Sequence, residues 1–164
     1  MNTAFLVTKI CNYKDLLAVY CNPSKTDKFL VGLPLKVTRN FLLLYLLSSD
    51  MQFDRICLCS IKTIYRIEKE STYLRKLPYC VPKNMTFIND PWNDLLSYAE
   101  RKKLVVKVTL NTNSSPIYGI SQQHTEKTFT FRIVNQEGET VKIVNVDCND
   151  VETLVFEGIN LQAN

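Results

Sequence analysis

One spacing constrains this chain more than any other feature: hydrophobic and turn patterns recur about 87 residues apart. Gly32, in Phe29-Leu30-Val31-Gly32-Leu33, matches Gly119, in Pro116-Ile117-Tyr118-Gly119-Ile120. At the same offset Leu42, Leu44 and Leu46 fall on Phe129, Phe131 and Ile133, and the polar break Ser49-Asp50-Met51-Gln52 falls on Gln136-Glu137-Gly138-Glu139. Leu17 and Val19 fall on Leu104 and Val106. Further on, the pattern resumes after three extra residues, with Ser60-Ile61-Lys62-Thr63-Ile64 opposite Asp150-Val151-Glu152-Thr153-Leu154. A fixed internal period means one structural unit used twice. The expected division is residues 1–80 as the first unit and 81–164 as a connector plus the second.

Each copy reads as one helix and several strands. Apolar residues at helical spacing follow Pro91 through Asn93–Arg101, and Thr3–Tyr13 occupies the corresponding place in the first copy. Alternation with a period of two marks Leu104-Val106-Val108-Leu110, Phe129-Phe131-Ile133 and Val141-Ile143 as strands with one buried face. Hairpin turns are expected at Thr38-Arg39-Asn40, Ser48-Ser49-Asp50, Glu126-Lys127 and Gln136–Glu139. Gly32 and Gly119 interrupt strands, where glycine commonly marks a bulge or sharp bend. Ser60 and Asp150 are each placed to begin a single 3₁₀ turn before the last strand. Between the copies, Leu74–Trp92 carries Pro78, Pro82 and Pro91, the composition of a stiff connector.

A helix, a strongly bent five-strand meander with a glycine at the first bend, and a short turn before the last strand together resemble the Sm-like members of the SH3-like small barrels. The resemblance implies a mainly β (α+β) protein of two tandem, strongly bent five-stranded antiparallel barrels, each preceded by a helix. Proteins of this kind usually form rings and bind RNA. They use an acidic residue and an asparagine between the second and third strands, and a basic residue followed by glycine near the end. The corresponding loops here read Thr38-Arg39-Asn40 and Thr125-Glu126-Lys127-Thr128, and no Arg-Gly or Lys-Gly precedes either last strand. The family's RNA-contacting residues therefore do not transfer onto this chain.

Charge separates the copies. Residues 1–80 hold 12 Lys+Arg against 6 Asp+Glu, and residues 81–164 hold 8 against 10, giving +6 and −2. A basic half can meet nucleic acid, an acidic partner or the acidic half of another copy. The most basic and aromatic stretch surrounds Tyr65 and Tyr79. It supplies Arg66, Lys69, Tyr73, Arg75 and Lys76, with Arg39 in the earlier turn, as candidate nucleic-acid contacts. Stacking rings beside phosphate-binding cations suit single-stranded RNA.

A second surface is expected on Phe41–Leu47, whose leucines point both ways, so that its outer face also needs cover. Leu43, Tyr45 and Leu47 are the candidate interface for a protein partner or a homo-oligomer. Self-association or scaffolding is the leading functional expectation, and RNA binding the alternative.

Catalysis, cofactors and metals are not expected. His124 is the only histidine and is placed beside a turn without a partner, and neither a nucleophile elbow nor a phosphate loop occurs. Cys57-Leu58-Cys59 puts two thiols on one strand face, but zinc would need two more ligands at suitable spacing. The longest apolar run has seven residues, against about 20 for a membrane-spanning helix. The N-terminal apolar run is too short for a secretory signal, so a cytoplasmic protein with reduced cysteines is expected.

Overall fold

The computed structural model describes residues 7, 9, 14–83, 85, 88–112, 115–159 and 161. The helix expected over Thr3–Tyr13 falls almost wholly outside the described residues, and so does Cys11. The protein is mainly β, with ten antiparallel strands among the described residues, and it divides into two compact units. Residues 1–87 and 159–164 make the first, and residues 88–158 the second.

In the first unit the strands are β1 (Leu17–Tyr20), β2 (Leu30–Val37), β3 (Phe41–Leu47), β4 (Phe53–Ser60) and β5 (Arg66–Lys69), in the order β5-β1-β2-β3-β4. A 3₁₀ turn (Ile61–Thr63) separates β4 from β5, and a one-turn helix, α1 (Thr72–Arg75), follows. In the second unit, helix α2 (Pro91–Lys102) precedes β6 (Val105–Leu110), β7 (Ile117–His124), β8 (Thr128–Val134), β9 (Thr140–Asp147), a 3₁₀ turn (Cys148–Asp150) and β10 (Val151–Glu157). The order there is β10-β6-β7-β8-β9. Counted within its own unit, each row reads fifth, first, second, third, fourth.

The agreement extends to single hydrogen bonds. The bounds of β2, β3, β4 and the 3₁₀ turn recur 87 residues later in β7, β8, β9 and the second turn, residue for residue. Thr38 N–H donates to the Phe41 carbonyl at 2.8 Å, and Thr125 N–H donates to that of Thr128 at 2.8 Å. Both threonine hydroxyls also accept from the backbone N–H three residues on. The next turn takes a left-handed residue in each unit, Met51 at φ 60° and Gly138 at φ 81°.

Three expectations are corrected by this correspondence. The three-residue insertion does not exist: Ile61–Thr63 matches Cys148–Asp150, and the cap of the second turn is Asp147, whose carboxylate accepts from Asn149 N–H at 2.8 Å, while Asp150 ends the turn. The first strands are displaced by two residues, because Leu17 faces Gly32 whereas Val106 faces Gly119. Leu17 therefore corresponds to Val106, and the loop after the first strand is shorter in the second unit. Finally, of the bulge or bend expected at each glycine, the bulge lies beyond it, between Pro34 and Lys36 and between Ser121 and Gln123.

The first unit's sheet is strongly coiled. β1 and β4 are separated by two strands, which in a flat sheet would hold them about 14 Å apart. Yet the sulfur of Cys21, just past β1, lies 2.7 Å from that of Cys59 in β4. Leu17, Val19, Leu42, Leu44, Cys57 and Cys59 fill the enclosed face and are all fully buried.

In the second unit the core is Val106, Val108, Phe129, Phe131, Leu154 and Phe156, closed at one end by α2. Asp90 caps α2 through Asn93 N–H, Pro91 occupies its first turn, and Lys103 ends it in a left-handed conformation. Its apolar stripe of Trp92, Leu95, Leu96 and Ala99 is buried. Trp92 packs edge-on to Phe129 with ring centroids 5.7 Å apart, and its indole N–H donates to the Thr125 carbonyl at 2.8 Å.

Candidate nucleic-acid interface

Antiparallel pairing of β1 with β5 sets Arg66 directly across from Tyr20 and Ile67 across from Val19. The guanidinium carbon of Arg66 stands 5.0 Å from the Tyr20 ring centroid, within cation–π range. Tyr65 is fixed next to it because its backbone N–H donates to the Tyr20 carbonyl at 3.0 Å, and its ring meets Tyr20 edge-on at 6.1 Å. Phe29, the residue before β2, lies 5.1 Å from the Tyr20 ring on another side.

The fourth ring comes from α1. Ser71 caps that turn, accepting from Leu74 N–H at 3.2 Å, and Leu74 anchors it by burial. Tyr73 then projects from the turn and meets Phe29 perpendicularly, with centroids 5.7 Å apart. Four rings from four separate segments, Tyr20 at their centre, thus form one cluster. Tyr20 itself is buried, while Phe29, Tyr65 and Tyr73 are 37%, 41% and 51% exposed.

The charges around the cluster are mixed but mainly positive. Arg66 is paired with Glu68, and Lys69 with Asp15 at 2.8 Å. Arg75 and Lys76 are exposed at the end of α1, two and three residues past Tyr73. Burial holds the Tyr20 phenol above its ordinary 10.0, with Glu68 adding to the effect and Arg66 opposing it. The central ring is therefore neutral at physiological pH. Such a surface offers ring faces and edges to unpaired bases, with cations close enough to meet their phosphates.

Of the candidate contacts, Arg66 and Tyr73 belong to this cluster, and Arg75 and Lys76 flank it. Lys69 is engaged by Asp15, and Arg39 lies in the β2–β3 turn, on a different loop. Tyr20 and Phe29 were not legible as contacts, because only the β1–β5 pairing brings them to Arg66. The interface expected on β3 is corrected: Leu43 and Tyr45 are each 1% exposed, covered by the chain itself, and Leu47 is half-buried. Phe53 packs on Tyr45 with ring centroids 5.3 Å apart, and Tyr79 packs on Phe53 in turn.

His124 also differs from expectation. It ends β7 rather than lying in a loop, and it has partners: Nδ1 lies 2.8 Å from Glu100 Oε1 and Nε2 lies 2.9 Å from Asn93 Oδ1, both on α2. Ser121 Oγ donates to the same Glu100 oxygen at 2.8 Å. The serine hydroxyl is thus directed at the carboxylate and not at the imidazole, so the cluster lacks the nucleophile-to-base hydrogen bond of covalent catalysis. Its evident work is to tie α2 to β7.

Among the described residues no group of three or more His, Cys, Asp or Glu side chains is placed to hold a metal ion. No helix among them is long and apolar enough to cross a membrane. No protein-family model matches the chain, and no curated protein is significantly similar to it in sequence.

Proposed function

We propose that this is a non-enzymatic binding protein of two tandem Sm-like, SH3-like small barrels, and that its first unit binds single-stranded RNA through the Tyr20, Phe29, Tyr65, Tyr73 and Arg66 surface. The observation that carries the reading is the gathering of three exposed rings and a guanidinium from separate segments. Exposed aromatics on a monomer surface cost solvation and tend to mark a binding site. The strand order shared by the two units and the coiling of the first sheet support the small-barrel reading. The +6 charge on residues 1–80 supports the RNA ligand.

Fluorescence anisotropy with labelled oligouridylate and oligoadenylate at about 50 mM and about 200 mM salt tests this, because neutralised phosphates make affinity fall steeply with salt. Tyr73→Ala should weaken binding by about 1–3 kcal/mol if a base stacks on that ring. Absence of binding at low salt, or binding indifferent to Tyr65→Ala, Tyr73→Ala and Phe29→Ala together, overturns the proposal.

Self-association is the second reading, moved from β3 to β9. β9 is the last strand of its row and pairs with β8, and Val141 and Ile143 on it are 66% and 56% exposed. An apolar terminal strand invites pairing with a second copy. Light scattering on the wild type and on Ile143→Lys decides it: a multimer reduced to monomer by the substitution supports it, and a monomeric wild type removes it.

A further inference from the structure

We infer that Cys21 and Cys59 are a redox pair that closes to a disulfide across the inside of the first unit. Cys21 continues the inward row Leu17 and Val19 at a spacing of two, and Cys59 faces Leu42 on the same side of the sheet. Their sulfurs are 2.7 Å apart although 38 positions separate them in sequence. A disulfide needs about 2.05 Å, so bond formation requires less than about 1 Å of movement between the two sulfurs. Cys57 shares the inward face but sits a further strand step away, about 6.6 Å along β4.

Cys21 is the less enclosed of the two, its residue 8% exposed just past β1 while Cys59 is fully buried, and is therefore assigned as the first to react. The oxidant assigned is a small-molecule disulfide of the glutathione class. The Cys21 thiolate attacks one sulfur of that reagent, forming a mixed disulfide and releasing one small thiol. The Cys59 thiolate then attacks the Cys21 sulfur and expels the second small thiol. Two electrons pass from the cysteine pair to the reagent's S–S bond, and the two cysteine protons end on the released thiols. The bond would span β1 to β4 and constrain the unfolded chain over that whole stretch.

The test uses the full chain, with six cysteines, equilibrated with oxidised and reduced glutathione, denatured in acid and alkylated. Mass spectrometry should show four alkylated cysteines and a Cys21–Cys59 linked peptide, reversed by dithiothreitol. Cys57→Ala should keep the link, now with three alkylated cysteines, and Cys21→Ala and Cys59→Ala should each abolish it. The oxidised wild type should melt at least about 5 °C higher than the reduced protein. Six alkylated cysteines at every oxidant ratio, or a linkage mapped to Cys57, Cys80 or Cys148, overturns the inference. These readouts contain no RNA, so they stand or fall separately from the proposed function.

Discussion

Gly32 lies so close to the Tyr45 backbone that a Cβ at position 32 would be 2.6 Å from the Tyr45 carbonyl oxygen. The same relationship holds between Gly119 and the Arg132 carbonyl, 87 residues on in both partners. Neither glycine has a positive φ. The requirement is for space between paired strands, and the obstructing atom is backbone that cannot turn aside.

Alanine at either glycine must therefore push β2 from β3, or β7 from β8. Gly32→Ala and Gly119→Ala are each expected to lose about 2–3 kcal/mol of unfolding free energy, in the range of overpacked cores. Urea denaturation followed by circular dichroism measures it, and a loss below about 0.5 kcal/mol would show that the sheet yields more easily than its pairing suggests.

The matched turns allow a prediction with the opposite sign. Met51 and Gly138 occupy one position of one turn, and both are left-handed, but only glycine takes that conformation without a Cβ clash. Met51→Gly should stabilise the protein by up to about 1 kcal/mol, with Gly138→Ala destabilising it by a similar amount. Equal and opposite shifts in the urea midpoint would also be an energetic check on the repeat.

Much of the fold was legible because β8 alternates strongly, β3 is an unbroken apolar run, and β2 and β7 carry a glycine at the same place. The phase was lost where apolar anchors differ. Ile61 is buried in the first 3₁₀ turn, but Cys148, in its place, is only half-buried, so the pattern slid forward to match Ile61 with Val151. The doubled apolar faces of β3 correctly implied cover on both sides. Sequence does not say which atoms supply the cover, and for Tyr45 they are Phe53 and the backbone of Leu161, the latter more than 100 residues away. The aromatic site was half visible for a related reason: Tyr65, Arg66 and Tyr73 are neighbours in sequence, whereas Tyr20 and Phe29 join them only through strand pairing.

Glu100 is the shared acceptor that joins α2 to β7. Removing its carboxylate leaves the Ser121 hydroxyl, which is nearly fully buried, without its acceptor and deprives His124 Nδ1 of its partner. Glu100→Ala should therefore cost about 1–3 kcal/mol, the usual cost of stranding buried polar groups. The double variant Glu100→Ala, Ser121→Ala should recover part of the loss, since no hydroxyl is then left unpaired. A double-mutant cycle measures the coupling, and strict additivity would mean that the hydroxyl has found another acceptor or water.

Tyr45 links the fold to pH. Burial raises its phenol above the ordinary 10.0, the Leu161 backbone hydrogen bond lowers it in part, and Asp54 raises it further, for a net upward shift. In the unfolded chain the phenol ionises near its ordinary value, so above about pH 10 the unfolded state loses a proton that the folded state retains. The contribution is fully present below pH 10 and is lost as pH rises towards the folded value. Tyr20, raised for similar reasons, adds in the same direction. Unfolding free energy measured from pH 8 to pH 12 should fall on the alkaline side, and Tyr45→Phe should reduce the slope of that fall. The phenylalanine variant should also lose about 1 kcal/mol at neutral pH, because the Leu161 hydrogen bond goes with the hydroxyl. An alkaline slope identical in the two proteins would mean that Tyr45 ionises as readily folded as unfolded, and that the cover over its ring opens before the unit unfolds.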